Sequence, residues 1–277
     1  MVGDPGPVPH HAVVACHADR GFVIPAQATD LLRALGEATR AGNTQDSSRG
    51  RVVGILGVVG GAGASTLALA VAREGARHQR TVLIDAVDHS GGLDLLAGCE
   101  DTPGARWPDL HVAEGTLAAE DVVAALPRQG EVAVLSAARG QVDEGYRLAE
   151  EELRGAVDTL RRGGYPVVLD IAGTGDLGLA GAEVCDEVVL LCCAEVRAGA
   201  RLAGLAARLR ARGIAASVVL RHRGWSGLDA QDIQRLSGLH VVAELPTIAG
   251  LAKAAELGGI PARLPRAVRG VAEAVWR

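Results

Sequence analysis

The stretch Gly60-Gly61-Ala62-Gly63-Ala64-Ser65-Thr66 constrains what this chain can fold into more than any other. It follows an apolar run, Val52 to Val58, and leads into a helical pattern from Leu67 to Glu74. A strand, a glycine turn and a helix N-terminus in that order aim several backbone N–H groups at one point. The positive end of the helix dipole adds to them, and the result is an anion site. Ser65 stands where such loops supply a hydroxyl to Mg2+, and Thr66 is placed to touch a phosphate. The simpler reading is that the glycines only permit a tight turn from strand to helix. A dinucleotide-binding loop is another rival, but it needs G-x-G-x-x-G, and the spacing here is G-G-x-G-x-S-T.

Beyond Arg51 the chain alternates short β-rich runs with amphipathic stretches. Strands are expected at Val52 to Val58, Thr81 to Asp85, Glu131 to Leu135, Pro166 to Asp170, Glu187 to Cys193, Ala216 to Leu220 and His240 to Val242. Leu153, Val157 and Leu160 mark one helical face, and Leu202, Leu205 and Leu209 another. This alternation predicts an α/β fold, a mostly parallel β-sheet with helices on both faces. Several strands are unbroken Val, Ile and Leu, as expected when both faces of a sheet are buried. With 277 residues, 48% of them hydrophobic, the chain can fill one such core.

That core is assigned to residues 51–277, and residues 1–50 read differently. His11 to Cys16 suggests one short strand, and Ala26 to Arg40 a helix with Leu31, Leu32 and Leu35 on one face. The polar run from Ala41 to Gly50 reads as a linker. One strand and one helix close no core, so this segment is expected to be an incomplete domain, an interface element or an arm. A net charge of −5 argues against a protein that coats nucleic acid. Cys16, Cys99, Cys185, Cys192 and Cys193 are an odd, scattered set and read as reduced, structural cytosolic thiols. No apolar run is long enough to span a membrane and no basic-then-apolar leader is visible, so the expected location is the cytoplasm.

These motifs resemble the MinD/ParA family of P-loop ATPases. The glycine loop is similar to the family's deviant phosphate loop, K-G-G-x-G-K-[ST]-T, with its two lysines falling on Val59 and Ala64 and a usual glycine on Val58. The single lysine of the chain, Lys253, is remote, and no arginine lies within the loop. Thr81 to Asp85, followed by Ala86 to Glu100, is similar without a gap to the family segment D-x-D-x-G-x-x-N-L-D-L-x-x-G-C-E. Asp85 matches the first carboxylate; the second, which orients water in active members, falls on Val87, with Asp88 one residue out of step. Pro166 to Gly173 resembles the strand that ends in a Mg2+-holding carboxylate, here Asp170, and Ala194-Glu195-Val196-Arg197 resembles a segment beside the nucleotide. The resemblance spans about residues 51–277.

Within the family the likeness is to the CpaE-like group that includes septum-site-determining proteins. It is carried by Gly61 to Ser65 and by Thr102 to Leu110 with Ala125 to Arg128. That group places a receiver-like domain first, and residues 12–41 resemble only its last strand and helix, so the chain reads as shortened at its N-terminus. The resemblance implies ATP or ADP held with Mg2+ by Gly60, Gly61, Ala62, Gly63, Ala64, Ser65 and Thr66, with Ser65, Asp85 and Asp170 around the metal. It also implies a homodimer and a partner in the septum or in a pilus or secretion machinery. Without lysine at position 64 and Asp at position 87, a weak ATPase is the most that is expected, and no residue is assigned a catalytic role. The alternative is a pseudo-ATPase acting as an interaction scaffold.

Three weaker features remain. Arg106-Trp107-Pro108-Asp109 is either a partner-binding knob or, the preferred reading, a tryptophan plugging a loop onto the core. Arg266 to Arg277 carries Val268, Val271, Val275 and Trp276 among arginines, a pattern that also suits peripheral contact with the inner face of the plasma membrane. His10, His11 and His17 have no second ligand cluster and read as a solvated arm.

Overall fold

The computed structural model describes residues 49–87, 90–110, 118–137, 146–173, 175–224 and 226–277, together with 22, 23, 26–28 and 31. The expected strand at His11 to Cys16, most of the Ala26 to Arg40 helix, the linker to Ser48, the early histidines, Cys16 and Asp88 lie outside the described residues.

In chain order the elements are β1 (Val52–Gly57), α1 (Ala64–Gly75), β2 (Thr81–Ala86), α2 (Leu93–Ala97), a 3-10 turn (Trp107–Asp109), α3 (Ala119–Ala125), β3 (Arg128–Gln129) and β4 (Val132–Leu135). There follow α4 (Glu150–Arg162), β5 (Val167–Ile171), α5 (Asp176–Glu183), β6 (Glu187–Cys193), α6 (Val196–Ala211), β7 (Ala216–Arg221), α7 (Ala230–Ser237), β8 (Val241–Leu245), α8 (Leu251–Gly258) and α9 (Arg266–Trp276). The strands form one sheet in the order β3-β4-β2-β5-β1-β6-β7-β8, parallel except for the β3/β4 pair. Each strand expected beyond Arg51 is present within a few residues. The two-residue β3 is an addition, because so short an edge strand carries no periodicity.

Consecutive residues of β1 and β5 are buried, so helices cover the sheet on both sides. β1 lies between β5 and β6, so the chain leaves it towards β2 on one side while β6 continues on the other. In an open parallel sheet that point leaves a crevice at the carboxyl ends of the strands.

The C-terminal helix α9 packs on α1. Its Val268, Val271, Ala272 and Val275 are buried, so the apolar residues that the sequence offers to a membrane belong to the core. A Cβ at Gly75 would meet the Trp276 ring at 2.5 Å; the glycine lets the two helices close. Arg51 clamps the end of α9, donating to the Trp276 carbonyl with its guanidinium 5.9 Å from the indole centroid. Among the described residues no helix is long and apolar enough to cross a membrane. Cys185, Cys192 and Cys193 are free thiols, and burial pushes the Cys192 pKa up to about 12, which suits packing rather than redox chemistry.

Candidate phosphate-loop cleft

A cleft of about 550 Å3 opens at the crevice. The glycine loop, Val87, Asp170, Arg221 and the residues from Leu245 to Ile248 form its walls. Gly63 begins the helix with φ 95°, a left-handed conformation that a side chain would strain. The first helical bond runs from Leu67 N–H to Gly63 O at 3.0 Å. The N–H groups of Ala64, Ser65 and Thr66 therefore precede any intrahelical partner and stand at the positive end of α1. α1 begins three residues before the Leu67 expected from sequence, since the last loop residues are its first turn.

Ser65 and Asp170 meet here. Burial, with a smaller contribution from the charge of Asp85, pushes the pKa of Asp170 up to about 7, and the neighbouring Ser65 hydroxyl opposes that rise. Asp85 is one strand over, opposite Asp170, and its carboxyl is taken up by the loop that follows β2. Its carboxyl accepts from Ser90 Oγ, from the N–H groups of Val87 and Leu93, both at 3.3 Å, and from Ala137 N–H at 3.5 Å. Burial nevertheless raises its pKa. Of the three carboxyl and hydroxyl groups expected around a metal, Ser65 and Asp170 thus line the cleft, and Asp85 braces the loop behind it. Among the described residues no three His, Cys, Asp or Glu groups cluster to hold a metal unaided. Ser65 and Asp170 are hard oxygen donors of the kind Mg2+ takes when phosphate and water complete its shell, so they fit that role.

The loop itself lacks side-chain charge, with Val59 and Ala64 at the lysine positions. Two arginines reach it from elsewhere. Arg221, the last residue of β7, donates to Ala62 O, and Arg223 donates to Gly61 O. Glu195, at the start of α6, stands 3.9 Å from Arg223. Sequence reading missed both arginines, ending their strand at Leu220, and missed the wall from Pro246 to Ile248. The available signal was topological, because loops that follow parallel strands share one edge of the sheet.

A buried polar cluster supports the opposite flank. Asp94, fully buried, accepts from Arg106 Nη2 at 2.9 Å and Ser136 Oγ at 3.1 Å. Trp107 is 2% exposed and its Nε1 donates to Asp85 O at 2.7 Å. It is a plug between this loop and β2, not a knob.

No family model matches the chain. Its fold is that of the MinD/ParA P-loop ATPases. A ParA family ATPase from Chlorobium tepidum superposes with a TM-score of 0.71 at 14% identity, covering 83% of this chain and 99% of that one. The septum site-determining protein MinD from Pyrococcus horikoshii, complexed with Mg-ADP, gives 0.66 at 17% identity, covering 82% and 93%. MinD in the MinC:MinD complex of Aquifex aeolicus gives 0.65 at 19%, covering 80% and 94%. Closer in sequence are the uncharacterized proteins MT3760 and Rv3660c of two Mycobacterium tuberculosis strains, each 36% identical over 253 residues, which are 91% of this chain and 70% of the relative. The chain belongs to the family of these mycobacterial proteins.

Proposed function

We propose that this protein is a MinD/CpaE-like positioning regulator, acting on the division septum or on a pilus or secretion apparatus, that holds Mg2+ with ATP or ADP and hydrolyses ATP poorly. The observation that carries it is the glycine loop at the start of α1 with Ser65 and Asp170 beside it. Backbone N–H groups from Gly60 to Thr66 hold phosphate; Ser65 and Asp170 serve the metal, and Asp85 keeps the neighbouring loop in place. Poor turnover follows from Ala64 and Val87, since transition-state charge and the attacking water both lose their usual partners. The subgroup reading rests on alanine at position 64 and on the segment Thr102 to Leu110. Residues 1–50 are read as the last strand and helix of a receiver-like domain with a linker. Action as a homodimer in the cytoplasm belongs to the same reading, as does the absence of a nucleic-acid partner.

A second reading, a pseudo-ATPase scaffold, is favoured by the missing lysines and by the saturated hydrogen bonding of Asp85. Titration calorimetry with Mg-ATP and Mg-ADP separates the two. Binding without phosphate release is expected, and Ala64→Lys should tighten it. Absence of heat or competition at millimolar nucleotide would leave only the scaffold.

A further inference from the structure

Arg221 and Arg223 lie far from the glycine loop in sequence and against it in the fold. Their guanidinium groups donate to consecutive loop carbonyls, Ala62 O and Gly61 O. Arg221 is seated so closely that a Cβ on Gly63 would lie 2.7 Å from its Nη1. A guanidinium has five N–H donors, and one bond to a carbonyl leaves most of Arg221's unspent. Among the described residues no carboxylate pairs with Arg221. Among the described residues the one carboxylate paired with Arg223 is that of Glu195, 3.9 Å away and 45% exposed. Burial lowers the Arg221 pKa, and the positive charge of Arg223 lowers it further. Two like charges therefore share the rim of a loop whose free N–H groups also seek an anion. Bringing an anion there relieves the repulsion and fills the open donors.

We infer that Arg221 and Arg223 supply, from the end of β7, the positive charge that the loop lacks at Ala64, and that they grip the polyphosphate of the ligand seated on Gly60 to Thr66. This rests on the nucleotide-binding reading above and extends it to residues outside the loop. Arginine suits the task because its planar fork binds phosphate oxygens in pairs and stays charged when partly buried. Relocating the charge also separates phosphate binding from catalysis. A guanidinium held by loop carbonyls is fixed in place, whereas the lysine it replaces lies within the loop.

The test titrates the full chain with Mg-ATP, adenosine and inorganic tripolyphosphate, as wild type and as Arg221→Ala, Arg223→Ala and Arg221→Gln. The glutamine keeps a donor for Ala62 O without the charge, and serves if the alanine variant fails to fold. Loss of a charged partner should weaken Mg-ATP and tripolyphosphate about ten- to a hundredfold and leave adenosine unchanged. Ala64→Lys in the Arg221→Gln background should recover much of the loss. Unchanged affinity in the variants, with binding by wild type, overturns the inference and leaves the nucleotide reading standing. Tighter binding in the variants also overturns it, showing the arginines to be a plug. Wild type that binds tripolyphosphate but not Mg-ATP, and loses it on Arg221→Gln, supports the inference while removing the nucleotide reading. Binding of neither ligand by wild type removes both.

Discussion

Asp85 and Asp170 are register partners on the adjacent parallel strands β2 and β5, 1% and 2% exposed respectively. Burial disfavours charge on both, and the negative charge of Asp85 adds to the effect on Asp170, while the Ser65 hydroxyl opposes it. Asp170 is thereby raised from its ordinary 3.8 to about 7. The folded protein binds this proton more tightly than the unfolded chain does. The resulting stability is complete below about pH 4, falls as pH rises, and is gone above about pH 7.

Asp170→Asn removes the ionisation and keeps the shape. In ligand-free protein, the stability of the wild type relative to this variant should fall between pH 5 and pH 8 by on the order of 2 kcal/mol. Urea midpoints at the two pH values measure the difference. Parallel pH profiles would mean that Asp170 is charged throughout.

Arg106 holds Asp94, which is fully buried, in a cluster with Ser136. Removing the arginine leaves a carboxylate without its cation, and losses of about 3–5 kcal/mol are typical of such cuts. Arg106→Met should therefore lower the unfolding free energy by that order, and adding Asp94→Leu should restore a good part of it. Chemical denaturation of the single and double variants provides the check; equal stability of Arg106→Met and wild type would show the pair to be dispensable.

The terminal helix offers a separate test. Val271 of α9 is 4% exposed, and Asp in its place must bury a charge or open the helix. Val271→Asp should cost more than about 3 kcal/mol, read as a drop in melting temperature. If α9 instead served mainly to touch a membrane, the variant would melt normally and lose only co-flotation with anionic vesicles.

Much of the architecture was legible before any coordinates. The strands from Val52 and Val167, Asp170 apart, are apolar without alternation, as a sheet covered on both faces requires, and the glycine run after β1 dictates a turn into a helix. Likewise the single Ala64 and Val87 substitutions were visible as losses of charge, because a motif's missing side chain is a local fact. Boundaries were less so: β8 runs to Leu245, three residues beyond the expected end, since pairing with β7 extends it where its own pattern stops.

What the sequence by itself determined was therefore the fold class, the loop and its lack of lysine. Tertiary structure alone decided which distant groups come to that loop. Parallel strands bring their carboxyl ends to one edge, so β7 delivers Arg221 and Arg223 to carbonyls about 160 residues away in the chain. It also turned Asp85 towards Ser90 and left Asp170 beside Ser65, a choice set by side-chain direction and hydrogen-bond partners that no spacing of residues encodes.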